Sequence, residues 1–214
     1  MGIPVLVLGA SGTGKSTSMR NFQKDEIGVF NVAAKPLPFR GKLDVVNTAD
    51  YATIKNILMK NTRKAYVIDD SQYLMAFASF AHAYEKGYEK FTQFAVDFQQ
   101  LLNTIINGTS NDTIVYLLHH TETDEAGHIK AKTIGKMLDQ QLTLEGLFAV
   151  VLLAKTDGEK YTFITNGFPP AKSPLGMFNE AEIENDLLYV DKTIREYWEL
   201  TPLRAEPKKK KEDK

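Results

Sequence analysis

The sequence predicts an α/β domain built on a mostly parallel sheet flanked by helices on both faces. Three observations carry that prediction. Short apolar runs recur along the chain, stretches of helical period separate them, and a glycine-rich loop joins the first run to the first such stretch.

Taken in order, Ile3–Leu8 is an apolar run ended by Gly9 and reads as a buried strand. Lys15–Lys24 reads as a helix opening on the glycine loop, Ile27–Val32 as a second strand, and residues 33–42 (AAKPLPFRGK) as a turn-rich loop. A strand is expected over Asp44–Asn47, and then Asp50 caps a helix over Tyr51–Asn61. Ala65–Ile68 is another buried strand, ending at Asp69-Asp70. Ser71-Gln72-Tyr73 reads as a turn, followed by helices over Leu74–Tyr84 and Phe91–Ile106. Thr113–Leu118 is a strand ending at His119-His120, and Thr121–Thr133 is a polar loop. Ile134–Leu144 reads as helical, Phe148–Ala154 as a strand, and Thr156–Glu159 as a hairpin turn into Lys160–Thr165. Asn179 is placed to cap an amphipathic helix over Glu180–Glu199. One domain is expected over residues 1–203. Residues 204–214, which end in PKKKKEDK, read as a disordered charged tail.

Composition narrows the function classes. The chain has 214 residues, and its formal net charge of −1 provides no global attraction to nucleic acid or membrane, so any polyanion site must be a local patch. With no cysteine, disulfides and thiolate metal sites are excluded. No run approaches the ~20 apolar residues of a membrane span. The first residues lack a signal-peptide pattern, and Leu6 breaks the myristoylation motif, so a cytoplasmic location is expected.

Residues 9–17 read GASGTGKST, and Gly9–Ser16 satisfies G-x-x-x-x-G-K-[ST] between a strand and a helix. Gly9, Ala10, Ser11, Gly12, Thr13, Gly14, Lys15, Ser16 and Thr17 are therefore expected to wrap the phosphates of a nucleoside triphosphate. Lys15 would reach the β- and γ-phosphates, and the Ser16 hydroxyl would bind Mg²⁺. The motif needs an acid at the end of a neighbouring strand, and Asp69 supplies it as the second Mg²⁺ residue. Asp70 either polarises the attacking water or caps a turn. His119 and His120, at the next strand end, point to opposite faces, so only one can face the nucleotide, with His120 favoured as the sensor of the γ-phosphate.

On these residues, GASGTGKST at 9–17, VIDD at 67–70 and YLLHH at 116–120, the chain resembles the phage RecA-like P-loop NTPases. That group carries an AAA-type ATP-binding domain and includes single-strand annealing and recombination ATPases. The resemblance spans roughly residues 3–170 and is specific only at those three motifs. It implies a RecA-like fold, ATP and Mg²⁺ as cofactors, single-stranded DNA as partner, and a homo-oligomeric ring or filament. A single-strand DNA-binding protein is a further candidate partner, and the host cytoplasm is the implied location. DNA-binding loops would lie after Asp70 and over Thr121–Thr133, the second carrying His128, Lys130 and Lys132 with Lys136 just beyond. Phe77, Phe80, Tyr84 and Tyr88 offer stacking, although aromatics at helical spacing equally serve a core. The tail lysines Lys208–Lys211 add attraction to DNA or simply solubilise the end.

The family pattern fails at one place. A catalytic Glu is expected after the second strand, but that strand runs into Asn31-Val32-Ala33-Ala34-Lys35 without an acid. With few arginines, Lys155 or Lys172 is the candidate to act on a neighbouring subunit's site. Two alternatives stand beside the DNA-stimulated ATPase. One is an ATP-dependent DNA-binding switch with negligible hydrolysis. The other is a P-loop small-molecule kinase, whose expected arginine-bearing lid is absent from Thr121–Thr133.

Overall fold

The computed structural model describes residues 1–87, 89–134 and 143–204. In chain order, β1 (Ile3–Gly9) leads through a 3₁₀ helix (Ser16–Asn21) to β2 (Ile27–Asn31), β3 (Asp44–Asn47), α1 (Tyr51–Met59) and β4 (Ala65–Asp69). Then come α2 (Gln72–Ala81), α3 (Glu89–Gly108), β5 (Ile114–Thr123) and β6 (Ile129–Ala131). A 3₁₀ turn (Leu144–Leu147) leads to β7 (Val150–Thr156), β8 (Tyr161–Ile164), β9 (Glu182–Glu184) and α4 (Leu187–Tyr197).

These form a nine-stranded mixed sheet ordered β3-β2-β4-β5-β1-β7-β8-β9, with β6 paired to β5 outside that path. The stretch from β3 to β7 is parallel. β8 and β9 extend it antiparallel, and β6 folds back on the far end of β5. Strand alternation sends Leu6, Ile68, Val115 and Leu117 into a core under α1, α2 and α3. Val5, Val7, Val67 and Tyr116 face the other layer, closed by Met19, Phe22 and α4. Burying each such side chain contributes about 1.5–3 kcal/mol. Among the described residues, no helix is long and apolar enough to cross a membrane.

Several elements depart from the sequence expectation for local reasons. The helix expected over Lys15–Lys24 is only the 3₁₀ turn Ser16–Asn21. Ser18 Oγ donates to Lys15 O at 2.5 Å, a local bond that competes with helix propagation through a Ser-Thr-Ser run of weak propensity. Gln72 opens α2 rather than sitting in a turn. The polar segment Thr121–Thr133 is a β5–β6 hairpin, not a loop. The helix expected over Glu180–Glu199 divides into β9 and α4. Glu182-Ile183-Glu184 alternates with Ile183 buried, a period of two rather than 3.6. Asp186, not Asn179, is the cap, its carboxylate accepting from the Leu188 and Tyr189 N–H groups. Most of the helix expected over Ile134–Leu144 lies outside the described residues, as do Tyr88, Lys136 and Lys208–Lys211. Arg204, read as the first tail residue, instead donates to Glu26 at 2.8 Å.

Candidate functional site

Strand order builds the site. β5 lies between β1 and β4, and Gly9 pairs in register with His120 while Asn31 pairs with Asp69. The carboxyl ends of β1, β2, β4 and β5 therefore deliver four chain segments to one edge of the sheet, where ligands of parallel α/β sheets bind. A cavity of about 1040 Å³ opens there, lined by Gly12, Lys15, Ser16, Asp69, Asp70 and His120 among others.

In the glycine loop, Gly12 and Gly14 adopt φ of 83° each, a left-handed backbone that a side chain would strain. Gly14 is followed by Lys15 in the right-handed region (φ −49°, ψ −59°). That alternation of hand turns successive N–H groups to one side and makes an anion-binding concavity. Lys15 Nζ donates to Gly9 O at 2.7 Å and Ala10 O at 2.8 Å. Burial lowers its pKa to about 8, partly offset by the charges of Asp70 and Asp69. Ser16 Oγ donates to Asp69 Oδ1 at 2.8 Å, so the last motif residue and the strand-end acid meet directly. Burial raises Asp69 to about 6 despite that bond.

Asp70 stands in the left-handed region (φ 59°), which turns its carboxylate back toward the cavity. His120 Nε2 donates to Oδ1 at 3.2 Å, and Lys35 Nζ lies 2.5 Å from Oδ2 as an ion pair rather than an aligned hydrogen bond. Burial pushes the carboxyl up, but the hydrogen bond from His120 and the ion pair with Lys35 outweigh it and hold it at about 2. A group held that low is a weak general base.

The two histidines separate as strand alternation requires. His120 lines the cavity, whereas His119 is wholly buried on the other face against Phe98. This corrects the catalytic expectation for His119. Its Nε2 donates to Lys132 O at 2.8 Å, which leaves Nδ1 to accept from Ser71 Oγ at 2.9 Å. Burial lowers its pKa to about 4 and keeps it neutral.

Sequence reasoning missed Lys35, whose place at the cavity depends on the turn after β2. It also missed the wall that adjoins the loop at Gly14, made by Arg20, Tyr161, Thr162, Glu182, Glu184 and Asn185. The hairpin β8–β9 supplies most of that wall, and its register is not readable from spacing. Arg20 is engaged with Asn185 O at 2.5 Å and Glu184 at 3.1 Å. The buried Asn185 amide has no hydrogen-bond partner among the described residues.

Among the described residues expected to meet DNA, His128, Lys130, Lys132, Phe77, Phe80 and Tyr84 do not line this cavity. Lys130 pairs with Glu122 at 3.3 Å and His128 with Asp124 at 3.1 Å, so the hairpin is close to charge-balanced. Lys132 is exposed immediately after β6. Phe80 and Tyr84 are 77% and 100% exposed and Phe77 is 40% exposed, which removes them from the core. Arg195 is buried and cannot reach another subunit.

Ser16 and Asp69 are hard oxygen donors that suit Mg²⁺. No group of three or more His, Cys, Asp or Glu side chains converges among the described residues. Phosphate oxygens and waters would therefore complete the octahedron, as is usual for Mg²⁺ at phosphate sites. No protein-family model matches the chain, and no curated protein matches it.

Proposed function

We propose that the protein is a RecA-like P-loop ATPase of the phage type, binding ATP and Mg²⁺ and acting on single-stranded DNA in recombination or strand annealing. The observation that carries the nucleotide half is the 2.8 Å bond from Ser16 to Asp69 at the mouth of a 1040 Å³ cavity, beside Lys15. A triphosphate entering there would draw Lys15 off the Gly9 and Ala10 carbonyls and onto its β- and γ-oxygens. Ser16 and Asp69 would hold the Mg²⁺, which supplies charge neutralisation at the phosphates. Water held near Asp70 and His120 would attack the γ-phosphorus in line.

The DNA half rests on the solvent-exposed Phe77, Phe80 and Tyr84, which suit base stacking better than the charge-balanced hairpin suits backbone attraction. Assembly into a ring or filament, with a neighbouring subunit completing the site, belongs to the same proposal. One observation favours the second reading, an ATP-dependent DNA-binding switch with negligible hydrolysis: Asp70 is already engaged by Lys35 and His120. The kinase reading loses ground, because the segment that would form its lid is a paired hairpin without arginine.

The test is ATP hydrolysis with and without single-stranded DNA, using Lys15→Ala as the blank. Stimulation by DNA that vanishes in the variant supports the ATPase. ATP-dependent DNA binding without hydrolysis supports the switch. Hydrolysis and DNA binding that ignore each other would sink the DNA half.

A further inference from the structure

The cation opposite the glycine loop comes from an unusual place. Asn31, at the end of β2, donates through Nδ2 to Lys35 O at 2.7 Å, and Ala34 turns through φ 52°. This tight turn folds residue 35 back over the end of β4, where its ammonium meets Asp70 and lies 6.0 Å from the Tyr73 ring centroid. Tyr73 in turn meets His120 edge-on at 5.6 Å. Lys35 lines the same cavity as Lys15 and Ser16, and its side chain is 60% exposed, so it can leave Asp70 without unpacking the core. Its charge is felt at both Lys15 and Asp69. Arg20, the cavity's arginine among the described lining residues, is committed to Glu184 and Asn185 on the opposite wall.

Resting on the nucleotide reading above, we infer that Lys35 is a cis-acting cation of hydrolysis, exchanging its ion pair with Asp70 for the terminal phosphate as charge develops there. In that step the water oxygen forms a bond to the γ-phosphorus while the bond from γ-phosphorus to the β–γ bridging oxygen breaks. ADP and inorganic phosphate result, with the water proton passing to solvent. Lys35 takes no proton and forms no bond. It stabilises the equatorial oxygens of the transferring group, the role otherwise given to an arginine supplied by a partner. The exchange also frees Asp70 to hold the attacking water only when a triphosphate is present, which couples occupancy of the cavity to readiness for hydrolysis.

The experiment measures affinity for ADP and for ADP–aluminium fluoride, a mimic of the transferring phosphoryl group, so it does not depend on the turnover rate. The wild-type protein binds the mimic more tightly than ADP. Lys35→Ala keeps ADP affinity within about fivefold but loses about 10²-fold on the mimic, in line with removal of one oxyanion-stabilising donor. Lys35→Arg recovers most of it. A Lys35→Ala protein that binds both ligands as the wild type does overturns the inference, as does a wild type that does not distinguish them. If Lys15→Ala also binds ADP as the wild type does, the nucleotide reading itself has failed, a different result from the loss of Lys35's role alone.

Discussion

Asp69 and Asp70 are neighbours in the chain and stand in opposite electrostatic circumstances. Burial lifts Asp69 from its ordinary 3.8 to about 6, whereas the His120 hydrogen bond and the Lys35 ion pair overcome burial and hold Asp70 at about 2. A pKa raised on folding contributes stability that is fully present below the unfolded value and lost as pH rises through the folded one. For Asp69 that window runs from about pH 4 to 6. Asp70 has the reverse sign, and its contribution is lost only as pH falls toward about 2. Asp69→Asn should therefore stabilise the protein at pH 7 by about 1–3 kcal/mol while abolishing Mg²⁺-dependent nucleotide binding. Urea unfolding at pH 4 and pH 7 checks this: the wild type should lose stability across the interval more steeply than the variant. A less stable variant at pH 7 would contradict it.

The histidine pair allows a second test at this scale. His119→Ala leaves the Ser71 hydroxyl and the Lys132 carbonyl to repair their bonds in a buried space, at about 2–4 kcal/mol. His120→Ala should leave denaturant unfolding within about 1 kcal/mol of wild type and instead slow hydrolysis. Equal stability losses in the two variants would contradict the assignment. That Ser16 and the strand-end Asp69 come together was legible in sequence, because a complete glycine-loop motif between strand and helix calls for an acid at a neighbouring strand end. Lys35 was not, because its position depends on a left-handed Ala34 and a side-chain bond from Asn31. Neither feature has a composition signature.

Among the elements, α4 shows how a buried polar network ties a helix to the sheet. Arg195 Nε donates to Asp191 at 2.5 Å, its other nitrogens reach Lys64 O, Thr201 O and Asp112 O, and Tyr116 OH donates to Asp191 at 2.9 Å. Removing one partner strands a buried charge, so Arg195→Met should cost about 3–5 kcal/mol in chemical denaturation. Adding Asp191→Leu should return part of that loss, and strict additivity of the two changes would argue against the network. The Asp50-capped α1 and β4 were readable because each pairs a clear pattern with a cap or a strand-ending acid. The β5–β6 hairpin and β9 were not. The hairpin is polar along Thr121–Thr123 and β6 is only three residues long, while β9 is equally short and pairs with a strand some twenty residues earlier in the chain.

For the molecule as a whole, the alternation of strands and helices predicted a mostly parallel sheet, and the sheet is mostly parallel. Its order was not legible, since no local pattern announces that β5 inserts between β1 and β4. That insertion carries His120 between the glycine loop and Asp69-Asp70, and the antiparallel β8–β9 edge lines the cavity beside the glycine loop. The whole arrangement has one central consequence: a triphosphate with Mg²⁺ should enter the cavity against the glycine loop. Titration calorimetry of ATP with Mg²⁺ into the wild-type protein and into Lys15→Ala tests it most directly. The account predicts saturable one-to-one binding that weakens at least ~100-fold in the variant, about 2.8 kcal/mol. Equal affinity in the two proteins, or no binding by the wild type, would contradict it.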